Sequence, residues 1–190
     1  ETSQEKIEQQ FKILKAKTEE KIGMDLRLYL GCEFHANMSM VETLINKERP
    51  TMAGSDYVLT EFSGATDFAF ARERVYELVT HGFIPIIAHV ERYPNIRKDM
   101  GNLETLREIG AYLQVNAESI LGEEGFATKR FCKKLMKNNM LDFVGTDCHR
   151  TNKRIPNLGP CAEYMEKKMG REYTERILIH NPQKIIENIG

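Results

Sequence analysis

The sequence predicts an α/β fold whose parallel strands close toward a barrel. Three observations predict it. Strand-like and helix-like segments alternate along all 190 residues, the pattern of parallel strands joined by crossover helices. The run Phe83-Ile84-Pro85-Ile86-Ile87-Ala88 is apolar and flanked by helical patterns, as in a strand buried on both faces. It breaks into His89-Val90-Glu91-Arg92-Tyr93, and four other predicted strands also stop at a polar or titratable residue: Glu33, Glu61, Asn116 and Asp147. A barrel gathers such strand ends on one rim, whereas an open doubly wound sheet spreads them along a line.

Taken in order, Thr2-x-x-Glu5 has the form of a capping box, and Ile7, Phe11, Leu14 and Ile22 recur near helical spacing. A helix is predicted from Ser3 to Lys21, closed by Gly23. Leu26–Cys32 is a predicted strand stopping at Glu33. Met38–Lys47 is a short helix, followed by a turn at Arg49-Pro50. Tyr57–Thr60 is a strand stopping at Glu61. Thr66–His81 is a helix with Gly82 at its C′ position, and the apolar strand follows. Leu103–Ile109 is a helix closed by Gly110, and Tyr112–Val115 a strand stopping at Asn116. Thr128–Asn139 is a helix, and Leu141–Gly145 a strand stopping at Thr146-Asp147-Cys148-His149. Tyr164–Met169, Tyr173–Leu178 and Pro182–Asn188 are closing helices, the last with Pro in its first turn.

No linker or low-complexity stretch divides residues 1–190, which predicts a single domain. The formal net charge of −1 gives no bulk attraction to nucleic acid or to an anionic membrane. No apolar run reaches membrane-spanning length, and no signal-peptide pattern opens the chain. Four scattered cysteines without a Cys-x-x-Cys pair read as reduced thiols of a cytoplasmic protein. The chain starts at Glu1 just before a helix, the expectation for a piece of a longer protein.

Asp147-Cys148-His149 places two ligand-type side chains at i and i+2, on one side of an extended chain. His89 and Glu91 share that spacing, as do Glu33 and His35. Carboxylates with imidazoles suit Zn²⁺, Mn²⁺ or Fe²⁺ better than Ca²⁺. A lone strand-end carboxylate more often caps the next helix; the joint placement of five argues for a shared site. Arg92 would be repelled by a cationic centre unless an anion lies between, and a phosphate held by its bidentate fork supplies one. The bland alternative pairs Arg92 with Glu91 or Asp99 at the surface. Cys148 and Arg154 have the Cys-x5-Arg spacing of cysteine phosphatases, but no glycine lies between them to build a phosphate cradle. There is no Gly-x-Ser-x-Gly elbow, P-loop or Gly-x-Gly-x-x-Gly. Met24, Met38, Met40 and Met52 read as core filler, and His81 and His180 as helix-end residues.

Gly31-Cys32-Glu33, Leu59-Thr60-Glu61-Phe62-Ser63, Ala88-His89-Val90-Glu91-Arg92-Tyr93, Gln114-Val115-Asn116-Ala117-Glu118-Ser119, Thr146-Asp147-Cys148-His149 and Asn181-Pro182 follow one another in an order that resembles the bacterial capsule-locus tyrosine phosphatases. These belong to the polymerase-and-histidinol-phosphatase (PHP) superfamily. The resemblance spans the chain, and its most specific block is Ala88–Tyr93. It implies a distorted, PHP-type TIM-like barrel, incomplete at the N-terminus, with a cluster of divalent metals at the carboxyl rim. Manganese is the expected ion, with Fe²⁺, Zn²⁺ or Mg²⁺ as alternatives. By family position Glu33 looks like a bridging carboxylate, Glu61 and His89 like ligands of a metal shared with Glu33, and Asp147 and His149 like ligands of the others. Arg92 looks like the phosphate-binding arginine, and His149 could protonate the leaving group. The implied reaction is hydrolysis of phosphotyrosine on the tail of an autophosphorylated bacterial tyrosine kinase that controls capsule or exopolysaccharide synthesis. Neither nucleic acid nor membrane insertion is implied, and an oligomer is compatible with it. The family's opening His-x-His strand, and a later aspartate and histidine, have no counterpart here. This chain alone is therefore expected to lack several ligands and to show weak or no activity. Glu91 has no assigned role, and a peripheral polar role is expected for His35. Two rivals are a PHP phosphoesterase acting on a small molecule such as histidinol phosphate, and a non-catalytic regulator that binds a kinase or its phosphorylated tail.

Overall fold

The computed structural model describes residues 3–22, 26–150 and 155–188. The predicted roles of Gly23, Met24 and Arg154 lie outside them. Helix α1 (Gln4–Ile22) opens the chain. Next come strand β1 (Glu33–His35), helix α2 (Met40–Ile45), a 3₁₀ turn at Met52–Gly54, and β2 (Tyr57–Glu61). Helix α3 (Phe68–Thr80) leads into β3 (Ile84–Ile87), a 3₁₀ turn at Val90–Arg92, α4 (Pro94–Arg97), α5 (Met100–Ile109) and β4 (Tyr112–Asn116). Helices α6 (Ala117–Leu121) and α7 (Phe126–Lys137) precede β5 (Phe143–Gly145). Helices α8 (Leu158–Met169), α9 (Arg171–Glu175) and α10 (Asn181–Glu187), the last two joined by a π-type turn, end the described chain.

All four strand pairings are parallel, and the strands lie in sequence order, β1-β2-β3-β4-β5. A doubly wound sheet would reverse direction at a switch point; this order is that of successive staves of a barrel. Side chains alternate between the faces. Val58, Ile87, Leu113 and Val115 join Ala71, Val75, Leu78, Leu103 and Leu106 in the main core beneath α3 and α5. Tyr57, Ile86 and Phe143 face the other way and meet Ile185 of α10, with Met52, Leu59 and Tyr112 around them. By the same alternation, Glu33, Glu61, Gln114 and Asn116 project from this inner face.

The expected strand at Leu26–Cys32 is displaced: β1 is Glu33–His35, so Glu33 begins the strand instead of following it. Leu26 and Tyr29 are exposed. The ladder with β2 sets Glu33 opposite Leu59, and upstream Leu30 O accepts from Ala53 N–H of the 3₁₀ turn. An apolar segment without a ladder partner does not become a strand. The helix ends follow their local signals. Asp67 and Asp99 cap α3 and α5 by accepting backbone N–H bonds. Gly82 takes φ +85° and ends α3 as predicted. The short helices α4 and α6, absent from the periodicity, pack next to the rim.

Candidate active site

The strand ends converge. His89 Nε2 lies 2.8 Å from Glu33 Oε1 and 3.8 Å from Glu61 Oε2. These three residues offer ligand atoms that all lie within 4.8 Å of one another. Two carboxylates held that close repel each other unless a cation joins them, and with the imidazole the donor set fits a divalent ion such as Mn²⁺, Fe²⁺ or Zn²⁺. His35, the ladder partner of Glu61, reaches Glu61 Oε1 at 3.3 Å through Nδ1. It thus touches the group through Glu61, while its own side chain is exposed.

The turn after β3 supplies most of the remaining geometry. His89 itself adopts left-handed backbone angles, φ 32° and ψ 54°, a conformation that a non-glycine residue pays for only where its surroundings hold it. Asp147, beyond β5, is likewise at φ 48°. Four polar side chains of this turn reach four different parts of the sheet. His89 reaches Glu33 of β1. The Tyr93 hydroxyl accepts the Phe62 N–H, just past β2, at 3.0 Å and lies 2.9 Å from His89 Nδ1. Glu91 Oε1 accepts the Asn116 N–H at 2.9 Å and the Ser119 hydroxyl at 2.8 Å, tying the turn to the end of β4. Arg92 Nη1 donates to Asp147 Oδ2 at 2.9 Å, beyond β5.

Arg92 does not pair with Asp99, and Glu91 does not hold it. Its Nη2 donates to Glu118 Oε1 at 3.0 Å and lies 3.5 Å from Glu124. Burial works to lower its pKa, but the hydrogen bond and charge of Asp147, with Glu124 and Glu91, raise it overall. Glu91 is buried, and desolvation pushes its carboxyl upward against the hydrogen bonds from Asn116 and Ser119. Burial also raises the Tyr93 phenol, reinforced by Glu61, Glu33 and Glu91.

Asp147 is held in the same neighbourhood by Arg92 and by Asn116 Nδ2 at 3.1 Å. His149 turns back on Asp147, with Nδ1 2.7 Å from its carbonyl and 3.3 Å from its carboxylate. Of the expected ligands, the structure therefore groups Glu33, Glu61 and His89, sets Asp147 beside Arg92, and leaves His149 on the exposed side. A cavity of about 280 Å³ connects the halves: Glu33, His89, Asn116 and Asp147 line it together with Ile86, Phe143 and Ile185. Sequence reasoning left Tyr93, Asn116, Glu118 and Glu124 without roles. The first two were visible as polar ends of apolar strands, but Glu118 and Glu124 meet Arg92 only through the fold.

The family model described as capsular polysaccharide synthesis, CpsB/CapC, matches residues 1–187. The tyrosine-protein phosphatase CpsB of Streptococcus pneumoniae is 29% identical over 191 residues, covering 98% of this chain and 78% of that protein. The putative tyrosine-protein phosphatase CapC of Staphylococcus aureus is 34% identical over 151 residues, covering 79% of this chain and 58% of its own length. A solved chain from the crystal structures of YwqE of Bacillus subtilis and CpsB of S. pneumoniae, described as unique metal-dependent tyrosine phosphatases, superposes with a TM-score of 0.84. It is 27% identical, and the match covers 92% of this chain and 70% of that one.

Proposed function

We propose, from the premise that this chain belongs to the CpsB/CapC family of capsular polysaccharide synthesis, that its strand-end rim is the active site of a metal-dependent protein-tyrosine phosphatase. The observation that carries the reading is the group Glu33, Glu61 and His89, with Arg92 reached across the same cavity through Asp147. Glu33, Glu61 and His89 would hold one divalent ion, Mn²⁺ by preference, and Asp147 and His149 would serve further ions. When bound, such an ion supplies Lewis-acid neutralisation of phosphoryl oxygens and lowers the pKa of the attacking water.

The chain's own residues do the rest. Arg92 forks toward the phosphoryl group once an anion displaces its contacts to Glu118 and Glu124, and its hold strengthens as charge grows in the transition state. Asn116 and Glu91 keep Asp147 and the β3 turn in register while Arg92 exchanges partners. Where it is not holding an ion, the exposed His149 imidazole can donate a proton to the departing tyrosyl oxygen. That help is modest, because a phenol of pKa about 10 leaves readily. The proposed substrate is phosphotyrosine on the tail of an autophosphorylated bacterial tyrosine kinase, met in the cytoplasm, with capsule or exopolysaccharide output as the controlled process.

Hydrolysis of a phosphotyrosine peptide and of p-nitrophenyl phosphate by the full-length protein with Mn²⁺ tests this. EDTA should abolish turnover, and so should His89→Ala combined with Asp147→Ala. Turnover that survives either treatment overturns the reading. A strong preference for histidinol phosphate would move the substrate to a small molecule, and absence of stoichiometric metal would favour a binding role.

A further inference from the structure

Arg92 stands between two cavities. Its Nη1 donates to Asp147, which lines the cavity of the metal group. Its Nη2 lies 3.5 Å from Glu124, and both residues line a second hollow of about 390 Å³, together with Glu91, Arg97 and Thr128. A phosphoryl group held by Arg92 would therefore sit at the border of the two cavities, and residues next to the phosphotyrosine along a peptide would reach the second.

The charges of this hollow are not equally engaged. Glu91 is 2% exposed, and its Oε1 accepts from the Asn116 N–H and the Ser119 hydroxyl. Glu124 stands against Arg92. Arg97 ends the one-turn helix α4, is half-buried, and pairs with no carboxylate among the described residues. Its guanidinium lies over the Phe131 ring of α7, 5.7 Å from the centroid. Stacking of this kind fixes the planar fork and leaves its N–H edges open to an acceptor. Thr128 stands three residues before Phe131 on the same helix, so the two are neighbours on its surface. Its hydroxyl makes no hydrogen bond among the described residues and is able to donate. The ligand that suits a fixed guanidinium beside a free hydroxyl is a carboxylate.

We propose that this hollow is a specificity subsite that takes an acidic side chain next to the phosphotyrosine of a substrate peptide, with Arg97 as its anion contact and Thr128 as a second donor. The proposal rests on the phosphatase reading of the rim and goes beyond it in naming what flanks the phosphotyrosine. A peptide with neutral neighbours leaves Arg97 without a partner, whereas an acidic neighbour supplies one, and specificity is that difference.

Paired phosphotyrosine peptides test it on the full-length protein with Mn²⁺. One carries glutamates on both sides of the phosphotyrosine, the other glutamines at the same positions. The glutamate peptide should have a kcat/KM about three- to tenfold higher, carried by KM, as for one charge-assisted contact at a half-exposed site. Added salt should narrow the gap in the unsubstituted protein. Arg97→Gln should bring the two peptides level, and Arg97→Glu should invert the preference. Each ratio is taken within one variant, so a general loss of activity cancels. Equal kcat/KM for the two peptides in the unsubstituted protein, or a preference that survives both substitutions, overturns the subsite and leaves the phosphatase reading standing. So does turnover of p-nitrophenyl phosphate with neither peptide hydrolysed. Failure to hydrolyse any of the three overturns both.

Discussion

Two aspartates stand at the two ends of strand β5, and each is gripped by an arginine. Asp142, just before the strand, receives Arg107 through Nε at 3.2 Å and Nη2 at 3.0 Å, and the Leu113 N–H at 3.0 Å. One guanidinium meets one carboxylate there, and the aspartate side chain is 3% exposed. Asp147, beyond the other end, receives Arg92 and Asn116, but Glu118 and Glu124 crowd the same guanidinium. Glu33 lines the same cavity as Asp147. Similar residues thus make a closed one-to-one clamp at one end and an arginine shared among several acids at the other. Buried charge is tolerated when each ion has its partner; the group of Glu33, Glu61 and His89, with ligand atoms within 4.8 Å of one another, marks a place where a cation is expected. A hollow of about 440 Å³ beside Arg107 and Tyr112 lies at the balanced end, so size alone would point to the wrong end of the sheet.

Exchanging the two aspartates in turn tests that contrast most severely. Asp147→Ala should cost at least about a hundredfold in Mn²⁺-dependent turnover of the full-length protein, as for the loss of a group that holds or orients a metal. Asp142→Ala should leave the rim chemistry intact in the folded fraction and cost about 3 kcal/mol. That is the low end for breaking a buried pair, since Arg107 is a third exposed. The Tm should fall by roughly 6–12 °C in a domain of this size. Equal effects of both variants on melting and on turnover would dissolve the distinction.

A smaller effect is expected from Glu124→Gln. Its contact with Arg92 is long and its side chain is 39% exposed, so the pair is worth up to about 1 kcal/mol. Freeing Arg92 should lower KM for p-nitrophenyl phosphate about two- to fivefold and leave kcat unchanged; a rise in KM would show that Glu124 helps the substrate instead. The least visible change lies in the core behind both ends. Burial pushes Cys161 up to about 12 and Cys132 higher still, Glu91 adding to the latter. The folded chain keeps thiol protons that the unfolded chain releases near pH 9, so this contribution is whole below pH 9 and is lost as pH climbs toward 12. Urea midpoints between pH 8 and 10.5 should decline, with a shallower decline in Cys161→Ala. Equal slopes would place the alkaline loss elsewhere.

Much of this was legible in the sequence because it depends on local physics. The apolar run before His89 is a strand since it can bury both faces, and Asp67, Gly82 and Gly110 end or cap helices by backbone geometry alone. The polar strand ends located the rim. β1 was misplaced because Leu26–Cys32 is apolar enough for a strand but is offered no ladder partner among the described residues, and pairing is a property of two segments. Cys148 and Arg154 illustrate the opposite hazard, a spacing that carries no chemistry without its loop.

By itself the chain determined which side chains, Glu33 apart, would stand at strand ends, because alternation of period two and the βα repeat are written into the order of apolar and polar residues. Only the tertiary structure decided how those ends share the work. It put Glu33, Glu61 and His89 within reach of one ion, turned Arg92 toward Asp147 and Glu118 instead of Glu91, and gave Glu91 and Tyr93 the task of holding the β3 turn to β4 and β2. These choices depend on distances between residues far apart along the chain, which no local pattern encodes.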